Sequence, residues 1–333
     1  MERAVTTKTN EIVDPNPGDF VGDSFRLRAK RLFHATRPKF YPASVLPVLA
    51  GTAYGVYAGD GFGGLVFILA LLATICVHAA SNVLNDVGDE ELGTDRVNES
   101  RIYPYTGGSR FIQTGILDSA SMARLGKSLL VVSALCGAGL LFLKGPMVLV
   151  FGCIGVALGV FYSLGPAKLS SLGLGELSVA VAFGVLPVSG AAWLQGAILD
   201  FSLLLFSLPI SIWVAAILLI NGVPDIEADE ATGKRTLAVR LGLGGTAALY
   251  VLIHLLAFTV IVVLTVQQTL PMFAPVLPLA LLLLAVKAAK GIRQGVDDRH
   301  GMTKAIEATL AIHTLGSVWL IACMLFSRFW SAA

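Results

Sequence analysis

Two short clusters of acidic and amide side chains interrupt an otherwise apolar chain. The first comprises Asn82, Asn85, Asp86 and Asp89, and the second comprises Asn221, Asp225 and Asp229. At about 100° per helical residue, the first set falls within roughly 100° of arc, so its members share one face of a helix end. The second set repeats a four-residue spacing. Carboxylate and amide oxygens suit Mg²⁺, which usually takes one or two carboxylates and completes its coordination with substrate phosphates.

The chemistry that these clusters suggest is the binding of a diphosphate through two metal ions. No His or Cys is interleaved with the aspartates, which argues against a zinc site. Two Mg²⁺ ions would clamp one diphosphate, and the predicted metal ligands are Asp86, Asp89, Asp225 and Asp229. Basic residues would balance the remaining negative charge and stabilise a departing diphosphate. The candidates are Arg37, Arg96, Lys168 and Lys234.

The end of an apolar bundle suits a substrate with a charged head and an apolar tail, such as a polyprenyl diphosphate. Breaking its allylic C–O bond would leave a carbocation from which water must be excluded. Tyr162 could stabilise that cation with its aromatic face, although an aromatic at this position more often serves packing. Glu176 either complements a helix N-terminus or belongs to the site, and the sequence favours neither.

The elements that carry these residues are predicted to be membrane-spanning helices. The chain has 333 residues, of which 55% are hydrophobic and 14% charged, against about 25% charged in soluble domains. Its net charge of +2 gives no reason to propose a nucleic-acid partner. Nine stretches can provide the ~20 residues of a span. They are 41–59, 63–86, 124–143, 146–163, 174–196, 203–223, 246–268, 271–290 and 305–327.

The placement of Lys and Arg predicts the orientation of these spans. With nine crossings, 22 of the 24 basic residues fall on one side, which places the N-terminus and both acidic clusters at the cytoplasmic face. Residues 1–39 are predicted to be a cytoplasmic segment, unstructured up to residue 23. Residues 24–39 would form an amphipathic helix on the lipid surface or, equally, a topogenic charge cluster. Residues 40–327 would form the transmembrane domain.

Two local features bear on the site. Residues 87–121 are predicted to form a loop, and loops of this length are usually functional or disordered. Its Thr106–Ser109 run could offer backbone amides to an anion, although such a run more often forms a plain turn. Pro224 cannot donate a backbone hydrogen bond, which predicts a kink in the sixth span beside Asn221 and Asp225.

The motifs around both clusters resemble those of a known family. Residues 85–95, NDVGDEELGTD, and 221–242, NGVPDIEADEATGKRTLAVRLG, resemble the two aspartate-rich motifs of UbiA-type intramembrane prenyltransferases. The resemblance is closest to the branch that prenylates 1,4-dihydroxy-2-naphthoate in menaquinone synthesis. RPKFYPASVLPVLAG at 37–51 and FYSLGP…GLGE at 161–176 are also similar to this branch.

The resemblance implies nine transmembrane helices around a central cavity, Mg²⁺ bound by both motifs, and an opening to the membrane for the isoprenoid tail. Residues that match the family's motifs are Asn82, Asn85, Asp86, Asp89 and the outlying Asp95, then Asn221, Asp225 and Asp229, with Arg37 and Tyr162 in the RP and FY pairs. Lys168 lies where some members place a phosphate-contacting lysine. The run from Arg101 to Arg110 departs from the branch's R-x-GPLR pattern and is expected near the acceptor and the diphosphate.

The sequence therefore predicts an all-α, polytopic membrane prenyltransferase that uses Mg²⁺, a polyprenyl diphosphate and an aromatic acceptor, with dihydroxynaphthoate as the leading candidate. One alternative is another acceptor, of the hydroxybenzoate or homogentisate type. A second alternative, from a different class, is an ion-coupled transporter. A transporter would place its acidic residues near mid-span, whereas these lie at one membrane face.

Overall fold

The structure is a computed structural model that describes residues 14–59, 61–93, 98–163 and 168–331. Within these ranges the chain is helical, with no β-strand. The helices are α1 Phe25–Ala35, α2 Pro42–Ala58, α3 Gly64–Leu92, α4 Ser119–Lys144, α5 Met147–Ser163, α6 Gly175–Leu194, α7 Phe201–Asn221, α8 Ile226–Ala231, α9 Leu237–Val266, α10 Val276–Gln294 and α11 Arg299–Ser331. Two of them are irregular: α6 contains a π-helical turn, and α9 is interrupted at Gly242.

The helices have the length and composition of a multi-pass membrane protein. In the described ranges, six segments are long and apolar enough to cross a bilayer, one of which, 276–327, contains α10 and most of α11. Each of the nine predicted spans overlaps one helix among α2–α7 and α9–α11. The all-α membrane fold predicted from the sequence is confirmed, whereas the number of crossings and the central cavity stay predictions.

Helix α7 forms the centre of the bundle. Its side chains Phe206, Ile210, Trp213 and Ile220 are all fully or almost fully buried. It packs against α6, α9 and α11, while α3 pairs with α4 and α2 pairs with α6. Because α2 also packs against α11, the first and last apolar helices are neighbours.

Small residues permit the close approach of α2 and α6. A Cβ atom added to Gly51 would collide with the backbone carbonyl of Val188, and one added to Gly55 would lie 2.6 Å from the Ala192 carbonyl oxygen. In a membrane, where lipid tails compete for apolar contacts, such close backbone approach is a main source of helix association. This pair holds α2, and hence Arg37 just before it, against the bundle.

The segment before α1 is ordered over residues 14–23, so the prediction of an unstructured N-terminus is wrong there. Pro17–Phe20 forms a 3-10 turn that is capped by the Asn16 side chain. Phe20 is only 8% exposed and packs edge-on against Phe111, with ring centroids 5.1 Å apart. The buried Phe20 ring anchors this segment to the domain by an apolar contact, which the polar, proline-containing sequence around it did not indicate.

Helix α1 leaves large apolar side chains exposed. Phe25 is 87% exposed and Phe33 is 53% exposed, on a helix that also carries Arg26, Arg28 and Lys30. A helix resting on a lipid surface would bury such side chains among the acyl chains. Its location at the membrane surface stays a prediction.

The chain breaks at Pro224 rather than kinking there. Helix α7 ends at Asn221, a turn follows, and α8 starts at Ile226. Proline lacks an N–H donor and disfavours helical geometry in the residue before it, and both effects favour a break at this position. Asn221 therefore ends one helix, while Asp225 and Asp229 share the next helical turn, with Asp229 N donating to Asp225 O at 2.8 Å.

Candidate active site

The first acidic cluster occupies the final turns of α3. Asp86 is 2% exposed, and its Oδ2 accepts a hydrogen bond from the Ser109 backbone N at 2.9 Å. Its Oδ1 is buried and has no hydrogen-bond partner among the described residues. Asn85 donates to Asp89 Oδ2 at 2.6 Å, and Asn82 donates to the Thr36 carbonyl at 3.1 Å. The cluster is thus tied to the chain that enters α2.

The second cluster begins in the turn before α8. Asp225 Oδ1 accepts a hydrogen bond from Asn98 Nδ2 at 2.7 Å. Burial raises the pKa of Asp225 to about 6, against the opposing effects of the Asn98 hydrogen bond and the nearby positive charges of Lys234 and Arg37. Asp229 lies 3.7 Å from Lys234, measured from Oδ1 to Nζ.

The two clusters meet at one end of the bundle. Burial raises the pKa of Asp229, and the negative charge of Asp89 in the other cluster raises it further. The Arg37 guanidinium interacts electrostatically both with Asp86 in the first cluster and with Asp225 in the second. One carboxylate from α3 and one from the α7–α8 region therefore lie near the same positively charged side chain.

Arg37 occupies the junction between α1 and α2 in a left-handed conformation, with φ 58°. Such a conformation costs a non-glycine residue about 1–2 kcal/mol, so the surrounding contacts must hold it in place. Its guanidinium lies over the Phe40 ring, 5.1 Å from the centroid, and donates to the Tyr105 carbonyl at 3.3 Å. Its Nε is buried without a hydrogen-bond partner in the part of the chain that the structure describes.

Tyr162 lies beside the start of α6, on the same side of the bundle as the carboxylates. A Cβ atom on Gly175 would lie 3.7 Å from Tyr162 Cε2, and the Tyr162 carbonyl accepts from Ser170 Oγ at 2.7 Å. The charges of Glu176, Asp229 and Asp89 all act on the Tyr162 hydroxyl. The structure thus brings the predicted aromatic residue and Glu176 into the same region as both clusters.

The other predicted basic residues have different surroundings. Lys168 is exposed, with φ 34°, and Lys234 pairs with Asp229 as described above. Arg101 is 8% exposed, and it binds both carboxylate oxygens of Asp14, at 3.1 and 2.9 Å. These contacts give Arg101 a role in holding its loop, so its contact with substrate stays a prediction. Arg96 and Asp95 lie outside the described residues.

One residue at the site, Asn98, escaped the sequence analysis. Asn98 and Ser109 belong to the loop after α3 and supply the hydrogen bonds to Asp225 and Asp86, respectively. A single Asn in a polar loop has no spacing that could have identified it. The Thr106–Ser109 run, considered as a cradle for an external anion, instead donates the Ser109 amide to the protein's own Asp86 carboxylate.

The donor atoms fit a metal that is shared with an anionic substrate. Among the described residues, no group of three or more His, Cys, Asp or Glu side chains is placed so that it could hold a metal ion by itself. Mg²⁺ needs none, because it usually binds one or two carboxylates and completes its shell with phosphate oxygens and water. Unpartnered buried polar atoms remain at Asp86 Oδ1, Asn98 Oδ1, Asn221 Oδ1 and Arg37 Nε. Buried polar atoms normally have hydrogen-bond partners. A bound metal and an anion would supply the partners that these four atoms lack.

A comparison with protein families identifies the relatives of this chain. The model of the UbiA prenyltransferase family matches residues 44–304. The chain belongs to the UbiA prenyltransferase family. This UbiA-family enzyme is 35% identical to the 1,4-dihydroxy-2-naphthoate octaprenyltransferase of Haemophilus influenzae, over 65% of the chain and 70% of the relative. It is 32% identical to the Escherichia coli enzyme of the same name, over 65% and 70%.

Solved structures of UbiA homologs share its fold. The apo structure of a homolog from Aeropyrum pernix K1 aligns with a TM-score of 0.66 at 18% identity, covering 86% of this chain and 98% of that one. A homolog from Archaeoglobus fulgidus, bound to DMAPP and Mg²⁺, aligns with a TM-score of 0.59 at 14% identity, covering 88% and 99%. The UbiA-family chain is therefore a multi-pass membrane prenyltransferase, as the sequence predicts.

Proposed function

We propose that this enzyme transfers a polyprenyl group from polyprenyl diphosphate to 1,4-dihydroxy-2-naphthoate in an Mg²⁺-dependent reaction at the cytoplasmic face of the membrane. The observation that carries the proposal is the convergence of both carboxylate clusters around Arg37. The acceptor is supported by the names of the Haemophilus influenzae and Escherichia coli relatives. Use of Mg²⁺ is supported by the Archaeoglobus fulgidus homolog bound to DMAPP and Mg²⁺.

The proposed metal ligands are Asp86, Asp89, Asp225 and Asp229. Bound Mg²⁺ would neutralise the diphosphate and make it a better leaving group. The protein's own part is to hold that diphosphate in position and to balance its charge, for which Arg37 and Lys234 are placed beside the carboxylates. Asn82 and Asn85 orient polar groups of the site through their bonds to the Thr36 carbonyl and to Asp89, and Asn221, whose Oδ1 has no hydrogen-bond partner among the described residues, would contact the substrate.

The prenyl group must react away from water. The apolar helices that adjoin the site, α7 above all, exclude solvent from the region where the allylic C–O bond breaks. Tyr162, with Glu176 nearby, would present its ring to the positive charge that develops on the allylic carbon. Attack by an electron-rich ring of the acceptor then forms the new C–C bond, and the ring loses a proton.

Of the two alternatives, another aromatic acceptor of the hydroxybenzoate or homogentisate type would use the same diphosphate site. The ion-coupled transporter is not supported, because the chain belongs to a family of prenyltransferases.

The test is a product assay with purified protein in lipid, labelled polyprenyl diphosphates of several chain lengths, Mg²⁺ and a panel of phenolic acids. We expect a prenylated product with dihydroxynaphthoate, loss of product with EDTA, and recovery when Mg²⁺ is restored. Product formation with hydroxybenzoate or homogentisate, but not with dihydroxynaphthoate, would overturn the proposed acceptor. Full activity in EDTA would overturn the role of the metal.

A further inference from the structure

Asp14 connects the N-terminal segment to the loop that supports the site. It lies before residues 44–304, the part of the chain that the family model matches. Arg101 donates to it twice, from Nε to Oδ1 at 3.1 Å and from Nη2 to Oδ2 at 2.9 Å. Arg110 approaches the same carboxylate, with Nε 3.7 Å from Oδ1. One carboxylate thus faces two arginines of the loop.

We call residues 14–23 the N-terminal strap, because independent contacts fasten it to the domain. Phe20 packs against Phe111 of the loop, with ring centroids 5.1 Å apart. Arg31 of α1 donates from Nη1 to the carbonyls of Phe20 at 2.9 Å and Gly22 at 3.0 Å. These contacts fix the position of the strap and therefore the place where Asp14 meets the loop.

From Arg101 the contacts continue to the acidic cluster without a gap. Arg101 Nη1 donates to the Asn98 carbonyl at 2.7 Å, and Asn98 Nδ2 donates to Asp225 Oδ1 at 2.7 Å. Arg299 of α11 donates to the Arg101 carbonyl at 2.6 Å, which holds the loop from the other side. Arg101 is 8% exposed and Asn98 6%, so these bonds are shielded from water, and leaving one unmade is costly.

We propose that Asp14 is a positioning residue for Asp225. The strap holds Arg101, Arg101 holds the Asn98 backbone, and the Asn98 amide orients the Asp225 carboxylate for metal binding. The inference rests on the metal role proposed above for Asp225. Residues behind a metal ligand typically change metal affinity by 10–100-fold when they are replaced.

The negative charge of Asp14 is expected to favour metal binding, as its positioning of Asp225 does. Asp14 is the carboxylate that the structure places against both Arg101 and Arg110. Without it, the Arg101 guanidinium would lose the carboxylate that it binds through two hydrogen bonds, and its positive charge would disfavour a divalent cation at Asp225. Loss of Asp14 is therefore expected to weaken metal binding through orientation and through electrostatics.

The experiment measures Mn²⁺ binding to the full-length protein in lipid, with inorganic pyrophosphate present and no acceptor, so that no turnover is needed. Mn²⁺ shares the preference of Mg²⁺ for oxygen ligands and is visible by EPR. We expect Asp14→Asn to raise the Kd for Mn²⁺ about 10-fold and Asp14→Glu to restore part of the loss. The matched control is Asp23→Asn in the same strap, where the side chain is 92% exposed and pairs with Arg28 at 3.7 Å.

Unchanged Mn²⁺ affinity in Asp14→Asn would overturn the inference, as would an equal loss in Asp23→Asn. If Asp14→Asn does not fold, Arg101→Lys decides the question, because lysine keeps the charge but cannot bind both carboxylate oxygens. Unchanged affinity in Arg101→Lys would then overturn the inference. The Asp225→Ala variant tests the proposed function separately from the role of Asp14. Wild-type Mn²⁺ affinity in Asp225→Ala would overturn the metal-binding role of Asp225 itself.

Discussion

The Asp86 and Asp225 carboxylates accept hydrogen bonds from neutral groups of Ser109 and Asn98, respectively. Neutral donors fix the direction of a carboxylate without neutralising it. Removing a charge from water is expensive unless an opposite charge compensates for it. Arg37 supplies part of that compensation, and a divalent cation would supply the rest.

We expect Asp86→Ala and Asp225→Ala each to lower product formation at least about 100-fold, because each variant removes an oxygen ligand that carries charge at the reacting diphosphate. The measurement is turnover in lipid at saturating substrates, with size-exclusion profiles as the check on folding. Asp297→Ala, at an exposed aspartate outside both clusters, is the control. Near wild-type turnover in either cluster variant would refute the two-metal scheme.

Arg37→Lys tests whether the guanidinium itself contacts the diphosphate. Lysine keeps the charge but lacks the planar fork that binds phosphate through two N–H groups. We expect the KM for polyprenyl diphosphate to rise about 10-fold, which corresponds to about 1.4 kcal/mol. The exposed Arg26→Lys variant is the control, and a KM unchanged in Arg37→Lys would assign Arg37 to packing alone.

At the scale of the elements, two helix ends and one loop build the site. The final turns of α3 carry the first cluster, and the break between α7 and α8 carries the second. The loop over residues 98–118 bonds to both, and α2 brings Arg37 between them. The packing of α2 against α6 therefore contributes to the site as well as to stability.

Gly51→Ala is expected to lower the free energy of unfolding by about 2 kcal/mol, because the added methyl group would press against the Val188 carbonyl and push α2 from α6. Thermal unfolding in detergent gives the measurement. Gly137→Ala in α4 is the matched control, since its added Cβ meets no atom within 4 Å. It should be neutral or slightly stabilising, because alanine favours helix. Equal stability of the two variants would contradict the close-packing account.

At the scale of the whole molecule, the basic residues are distributed unequally between the two predicted sides of the membrane. The predicted crossings place 22 of the 24 Lys and Arg on the side of the acidic clusters. The turn after α8 and the turn after α9 lie at opposite ends of α9, which runs from Leu237 to Val266. The proposed cytoplasmic orientation can therefore be tested with one probe at each end of a single helix.

Single cysteines at Thr232 and Gln267, both exposed, serve as those probes in a background without the four native cysteines. We expect a membrane-impermeant maleimide to label Thr232→Cys only in inverted vesicles and Gln267→Cys only in right-side-out vesicles. Labelling of both positions from one side would contradict the crossing of α9. The reverse pattern would place the site outside the cytoplasm.

The sequence by itself determined the membrane class, the course of the helices and the identity of the acidic clusters. These properties are local: apolar runs of sufficient length must become helices in a bilayer, and charged residues at their ends are too costly to be incidental. The 3.6-residue period then places Asn82, Asn85, Asp86 and Asp89 on one face before any fold is known.

Only the tertiary structure decided what holds those carboxylates. Asn98 and Asp225 are 127 residues apart, and Asp14 and Arg101 are 87 apart, yet each pair is in contact. No periodicity encodes which polar loop will meet which helix end, because that depends on how the whole bundle packs. The break at Pro224 was also decided by the tertiary structure. A proline predicts that a helix is disturbed, but packing determines whether the helix kinks or ends.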